Sequence, residues 1–129
     1  MKIRTFCLSL LAVLFLAGCE TDHYYDQVVQ NDSSHPLTLI FHGAAANDFG
    51  DSIVVPQHES KTLYTFHKLG AIPEGLSCLP NLDSIEVIHP AGKSFLGNFL
   101  EEGNWTSQVE GKRTVMQTCT FRFSDADFN

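Results

Sequence analysis

The chain is poor in basic residues. It has 8 Lys and Arg against 15 Asp and Glu, which gives a formal net charge of −7. Lys2 and Arg4 lie in the first 18 residues, which contain no acidic residue, so the remaining chain holds 6 basic and 15 acidic residues and carries −9. Such a charge repels nucleic-acid phosphates and disfavours adsorption to anionic lipid. We therefore expect no nucleic-acid partner, and any membrane attachment must come from something other than a basic patch.

A long apolar run is also absent. A transmembrane helix needs roughly 20 consecutive apolar residues, whereas the apolar stretch near the start, residues 5–16, has only 12. It follows the cationic start Met1-Lys2-Ile3-Arg4 and ends just before Gly18 and Cys19. A short positive start before an apolar segment of ~7–15 residues is typical of a secretory signal peptide. The sequence thus predicts a signal peptide at residues 1–18.

The end of this leader, Leu16-Ala17-Gly18-Cys19, resembles the lipobox of bacterial lipoproteins at all four positions. The resemblance implies that the sulfur of Cys19 receives a diacylglyceryl group and that cleavage makes Cys19 the first residue. Two or more acyl chains hold a protein stably on a bilayer, because each buried methylene contributes ~0.8 kcal/mol. We expect the membrane to be a partner through the lipid on Cys19, with residues 19–26 as a polar tether and residues 27–129 as one folded domain.

Helical periodicity is missing after residue 19: no window is long enough to bury one face of a helix. Short segments instead alternate apolar and polar residues between clusters of turn residues, as in an antiparallel sandwich or barrel. We expect an all-β sandwich of about seven strands, because long crossovers suit Greek-key connections. Strands are predicted at residues 28–29, 37–41, 52–55, 61–68, 85–88 with a return strand at 94–96, and 114–123, and none in the polar stretch 99–113.

Few cysteines remain once the leader is removed. Cys7 leaves with it and Cys19 is acylated, so Cys78 and Cys119 are left in an oxidising compartment. A bridge between them would close a loop of 41 residues and contribute about 4 kcal/mol. The alternative is two buried thiols that never meet, because Cys119 has core parity while Cys78 lies in an irregular stretch, residues 69–83, whose path the sequence does not define. Long irregular stretches in compact domains are often functional, so this one is a candidate binding site.

Catalytic motifs are lacking, and neither an enzymatic activity nor a cofactor is predicted. Gly92-Lys93-Ser94 resembles the end of a phosphate-binding loop, but Val87 stands where the first glycine is required. Glu101-Glu102 and Asp125 with Asp127 offer carboxylate pairs, yet any acidic protein does. The six histidines have no spacing typical of a metal site, so no metal ligands are predicted, although a site built across strands stays open as an alternative: His23, His35, His42, His58, His67 and His89.

The single tryptophan is the candidate ligand-binding residue. Trp105 follows Gly103 and Asn104, so an exposed indole there would stack on a sugar or anchor a protein partner. The competing interpretation places Trp105 in packing contact over the open end of the sandwich. A carbohydrate-binding accessory that uses Trp105 or Tyr64 is therefore one alternative function, and a metal-dependent or carboxylate-using envelope enzyme is another.

As a whole, the chain resembles the small lipoproteins common in gut Bacteroidetes. The features that carry the resemblance are the lipobox, the Asn31-Asp32-Ser33-Ser34 turn, the Asp83–Val87 strand with its Gly92-Lys93 turn, and the ending Phe121–Phe128. The resemblance implies an immunoglobulin-like β-sandwich that is lipid-anchored at the bacterial outer membrane, on its periplasmic or cell-surface face. It brings no catalytic residues, so we expect a non-enzymatic binding or structural module.

Overall fold

A computed structural model describes residues 21–43, 46–70 and 75–129. The predicted signal peptide and Cys19 lie outside these residues. The described chain forms seven strands: β1 (Asp22–Asn31), β2 (Leu37–His42), β3 (Ser52–Val55), β4 (Ser60–Leu69), β5 (Ser84–Ile88), β6 (Trp105–Glu110) and β7 (Thr114–Phe123). One helical turn, α1 (Ala46–Phe49), precedes β3, and 3-10 turns occur at Glu102–Asn104 and Asp125–Asp127. No described helix is long and apolar enough to cross a bilayer.

The strands form two sheets that pack as a sandwich, which confirms the predicted fold. One sheet has the order β4-β1-β7-β6 and the other β3-β2-β5. The pairings are antiparallel except that β1 runs parallel to β7. This parallel pair places the first and last strands side by side in the middle of the larger sheet.

The first strand begins earlier than the sequence predicted. Residues 22–26 were assigned to a polar tether, but they pair with β4 from Leu69 to Thr65 and with β7 from Thr114 to Thr118. Within them, His23 and Tyr25 are buried while Tyr24 is exposed, so the strand alternation already begins there. The stretch was mistaken for a tether because its inward-facing residues are a histidine and a tyrosine rather than aliphatic residues.

The core lies between the inner faces of the two sheets. On β2 the alternate apolar residues Leu37, Leu39 and Phe41 are buried, and on β7 Cys119, which has core parity, is buried together with Phe121 and Phe123. Aromatic rings fill one end of this core, where Phe99, Phe121, Phe123, Phe95 and Phe128 lie with neighbouring centroids 4.8–6.4 Å apart. Such ring pairs contribute beyond their buried area when they are tilted or edge-on.

One predicted hairpin is wrong. The turn at residues 89–93 is present, with the Gly92 amide 2.9 Å from the carbonyl of His89. The segment that follows does not return along β5, whose partner is β2. It pairs instead with the end of the chain, where Phe95 forms a bridge with Phe128. The reason is packing, because the ring of Phe95 lies 5.3 Å from that of Phe123 and so is held at the aromatic end of the core.

A strand that the sequence did not predict, β6, occupies residues 105–110. It pairs with β7 from Trp105–Phe121 to Glu110–Met116. After Trp105 every residue of β6 is exposed, so the strand is an edge with no alternation to reveal it. The turn that follows requires glycine, because Gly111 has φ +95 and an added Cβ would collide with the carbonyl oxygen of Thr114.

The turn after β1 is organised by a fully buried side chain. Asn31 donates from Nδ2 to the carbonyls of His35, at 2.7 Å, and Val55, at 3.0 Å. Its Oδ1 accepts from the amide and hydroxyl of Ser33 at 3.0 and 2.6 Å. The turn predicted from the sequence is therefore built on Asn31, whose amide joins the two sheets through Val55 of β3.

Candidate ligand-binding cleft

The segment 75–82 lies against the inner face of the larger sheet without forming a strand. The side chain of Gln117 on β7 hydrogen-bonds both backbone groups of Leu76 in this segment. Its Nε2 donates to the Leu76 carbonyl at 2.7 Å, and its Oε1 accepts from the Leu76 amide at 2.8 Å. The hydroxyl of Tyr25 donates to the carbonyl of Ser77 at 2.8 Å. Buried polar side chains thus supply the hydrogen bonds that a neighbouring strand would otherwise supply.

A disulfide fixes the same segment covalently. Cys78 and Cys119 are bridged, with their Cα atoms 5.4 Å apart and both residues buried. Around Cys78, its carbonyl accepts from Gln27 Nε2 at 2.8 Å and its amide donates to a carboxylate oxygen of Glu102 at 2.8 Å. Glu102 also accepts from the Ser77 hydroxyl at 2.6 Å, and these two hydrogen bonds lower the pKa of Glu102. The segment is therefore a rigid wall rather than a loose loop.

Between this wall and the sheet opens a cleft of about 410 Å³. Its sheet side consists of Tyr25, Tyr64 and Phe66, and Phe49 of α1 closes one flank, with its ring 5.9 Å from that of Tyr64. The opposite wall is formed by residues 76, 77 and 79–81 of the fixed segment. A mostly apolar, aromatic concavity with few polar groups is the usual form of a small-ligand site.

The register of β4 places the aromatic residues of the cleft. The pairing of β1 with β4 shifts between Gln27 and Val28, so that Leu63 is an extra residue on β4. Leu63 joins the core, and Tyr64 and Phe66, which face Gln27 and Tyr25, are half-buried at the cleft. A regular alternation along β4 would put Tyr64 and Phe66 on one face and Leu63 on the other. The bulge is why all three contribute to the interior.

One polar atom in the cleft wall has no partner. Gln27 is 3% exposed, and its Nε2 is committed to the carbonyl of Cys78, which can only accept, so the orientation of the amide is fixed. Its Oε1 is buried and receives no hydrogen bond. Leaving a buried acceptor unpaired costs about 1–3 kcal/mol. A ligand that brings a hydrogen-bond donor into the cleft would recover part of that cost.

Tyr25 keeps its proton in this environment. Burial raises the pKa of its hydroxyl above the ordinary value of 10.0. It therefore remains a donor to the Ser77 carbonyl over the whole physiological range. The cleft offers an incoming group aromatic faces and few polar groups, with no charged side chain among its lining residues.

Trp105, the predicted ligand-binding residue, is not exposed. Only 7% of it reaches solvent, and its indole nitrogen donates to the carbonyl of Phe99 at 2.8 Å. Its ring lies 4.9 Å from the ring of Phe99 and 5.5 Å from that of Phe121. As the first residue of β6 opposite Phe121, it turns into the core. A sugar-stacking role for Trp105 is therefore corrected to a packing role, whereas Tyr64 does lie in the cleft.

The histidines are distributed over the sandwich. His23 is buried with Nε2 3.3 Å from Gln117 Oε1, His67 stacks on Tyr24 at 4.3 Å, and His35 and His89 lie 4.8 Å apart. Burial, followed by His35 and Lys93, lowers the pKa of His89. Among the described residues no group of three or more His, Cys, Asp or Glu side chains could hold a metal ion.

The carboxylates of Asp125 and Asp127 are used in local structure. Asp125 accepts from the amide and hydroxyl of Ser34, both at 2.9 Å, and the pKa of Asp125 is lowered by these bonds. Asp127 accepts from the amide and hydroxyl of Ser124 in a capping box. The Ser34 hydroxyl also lies 3.0 Å from His35 Nδ1. In a catalytic triad the carboxylate holds the histidine, whereas here it holds the serine.

Sequence reasoning missed Gln27 and Gln117, which build the cleft. Both are polar residues at positions of core parity, between Tyr25 and Val29 on β1 and between Val115 and Cys119 on β7. A polar residue among the inward-facing residues of a strand indicates that backbone polar groups, rather than a second apolar sheet, lie opposite it.

The chain matches no protein-family model, and no curated protein or solved structure is significantly similar to it.

Proposed function

We propose that this chain is a lipid-anchored protein of the bacterial envelope, and that its sandwich is a non-enzymatic binding module whose ligand site is the aromatic cleft. The lipobox ending at Cys19 supports the anchor, and its apolar leader supports export from the cytoplasm. The unpartnered Oε1 of Gln27, a β1 residue that lines the cleft opposite the fixed segment, carries the binding role. An unpaired acceptor of a residue that lines an aromatic cleft is a place where an incoming donor gains a hydrogen bond.

The chemistry of the lining defines the ligand class. The walls are mainly Tyr, Phe, Leu and Pro side chains, and the polar side chains among them are few. A sugar ring would bury several hydroxyls that these walls cannot pair, at a cost for each one. An aromatic or apolar group with a single O–H or N–H donor fits better. The ligand is thus a small ring compound or an aromatic side chain of a partner protein rather than a glycan.

Phenol and anisole test this assignment, because they share a ring and differ in the hydroxyl donor. We expect phenol to shift the backbone NMR signals of Gln27 and residues 76–81 in a saturable way. Anisole should bind about tenfold more weakly, since it leaves Gln27 Oε1 unpaired. Dissociation constants come from the titration of the ¹⁵N-labelled protein.

A matched pair of variants controls the location. Tyr64→Ala removes part of the cleft wall and should weaken phenol binding, whereas Leu96→Ala changes a residue that is 63% exposed and lies outside the cleft. Equal affinities for phenol and anisole would show that Gln27 Oε1 does not hydrogen-bond the ligand. Shifts confined to other parts of the sandwich would remove the cleft as the site.

A further inference from the structure

All four strands of the larger sheet begin or end at the edge where β1 begins. β1 starts there with Asp22, β4 ends there with Leu69, and β7 starts there with Thr114. β6 ends at Glu110, and the turn 111–113 closes the hairpin to β7. The carbonyl of Arg113 accepts from the Asp22 amide at 3.0 Å, so this turn is fixed beside the start of β1. We call this region, residues 22–24, 67–70 and 110–116, the anchor end.

The distance from Cys19 to this region is short. Asp22 is the third residue after Cys19, and an extended chain spans at most ~3.6 Å per residue, or about 11 Å. The Debye length at physiological ionic strength is about 8 Å. A lipid on Cys19 would therefore hold the anchor end at a distance from the bilayer surface that is comparable with the Debye length.

Charge is distributed unevenly with respect to this end. Of the six basic residues after Cys19, three lie here, all exposed: Lys68, Lys112 and Arg113. They balance the acidic residues Glu20, Asp22 and Glu110, so the anchor end together with residues 19–21 is neutral, while the rest of the mature chain carries the whole −9. An anionic surface repels the remainder of the domain and not this end. The net charge of the chain had argued against a basic membrane-binding patch, because it does not show that these three basic residues lie together.

Exposed apolar side chains accompany these charges. Leu69 is 61% exposed, Met116 51% and Tyr24 37%. Tyr24 pairs with Met116 across β1 and β7, on the outer face, because its neighbours His23 and Tyr25 point inward. Tyrosine and aliphatic side chains flanked by lysine and arginine are typical of surfaces that lie at a membrane interface.

We propose that the anchor end is a membrane-contacting face, in which Lys68, Lys112 and Arg113 bind anionic lipid headgroups and Leu69, Tyr24 and Met116 lie at the interface. This inference rests on the proposed anchor at Cys19. It means that the lipid attaches the protein while the face orients it, with β1 rising from the bilayer and the aromatic core end pointing away.

Amide hydrogen exchange of the acylated full chain on vesicles tests the face. The vesicles are phosphatidylcholine alone or phosphatidylcholine with phosphatidylglycerol, and flotation first establishes that the chain is bound. We expect exchange in residues 66–70 and 108–115 to slow about fivefold on the anionic vesicles, the factor expected from one basic residue near such a surface. Exchange in residues 90–97 should not change.

Two double variants with the same charge change provide the control. Lys112→Glu with Arg113→Glu should abolish the slowing, whereas Lys61→Glu with Lys93→Glu, elsewhere on the sandwich, should preserve it. Bound chain without slowed exchange, slowing that is equal on neutral vesicles, or equal loss in both variants would overturn the membrane face while leaving the anchor intact. Wild-type chain that fails to float would overturn the anchor, and the face with it.

Discussion

Replacing Cys78 and Cys119 together by alanine lowers the free energy of unfolding by about 4 kcal/mol. The bridge closes a loop of 41 residues, and the chain-entropy relation gives this magnitude for a loop of that length. A domain of this size has a total stability of about 5–15 kcal/mol, so the loss is a large fraction of the whole. Urea unfolding followed by circular dichroism measures it, and the double variant avoids a free thiol.

Reduction of the wild-type chain is the matched control, and it should move the unfolding midpoint in the same direction and by a similar amount. The variant should also lose phenol binding, because the segment 75–82 that forms one wall of the cleft is then held by its hydrogen bonds with Tyr25, Gln27, Gln117 and Glu102 alone. A double variant within 1 kcal/mol of wild type would show that these hydrogen bonds alone fix the wall.

Trp105→Ala should lower the free energy of unfolding by about 3–5 kcal/mol, the usual cost of deleting a buried aromatic side chain. The indole fills space against Phe99 and Phe121, and its nitrogen satisfies the Phe99 carbonyl. Its loss leaves both a cavity and an unpaired acceptor. Urea unfolding of the variant gives the value directly.

Val109→Ala serves as the control on the same strand, because Val109 is 55% exposed at the sheet edge and its truncation should cost less than about 0.5 kcal/mol. A Trp105→Ala protein as stable as the Val109→Ala protein would contradict the packing role. It would also restore the interpretation of Trp105 as a surface residue available to a partner.

Strands with strong alternation were predictable from the sequence. β7 begins at Thr114 and ends at Phe123, as expected, because every second residue from Cys119 to Phe123 is apolar and faces the core. β3, at residues 52–55, was equally clear, since Pro56 ends it. In each case the residues of the strand itself are enough to predict it.

Elements whose environment is set from a distance were not predictable. β6 is an exposed edge strand that is defined only by pairing with β7. Residues 94–96 look like the return strand of a hairpin, but Phe95 packs against Phe123 and pairs with Phe128 at the far end of the chain. Tertiary contacts override local pattern in both places.

The cleft could be predicted only in part. The irregular stretch 69–83 and Tyr64 were identified as candidates, and both contribute to it. The bridge between Cys78 and Cys119 was left open, since the path of the stretch could not be read from the residues. The role of Gln27 could not be foreseen either, because a buried amide with one committed and one free end depends on where the Cys78 carbonyl lies.

We propose a small binding domain that the lipid on Cys19 attaches to a membrane, with the cleft on the sandwich and the anchor end facing lipid. Growth of bacteria expressing the full chain with an alkyne-bearing fatty acid, followed by detergent phase separation, tests the anchor most directly. The wild-type chain and the Cys7→Ser variant, whose change lies in the removed leader, should be labelled and enter the detergent phase. Cys19→Ser should be unlabelled and stay in the aqueous phase. A Cys19→Ser chain that is still labelled and still partitions with the detergent would contradict the account.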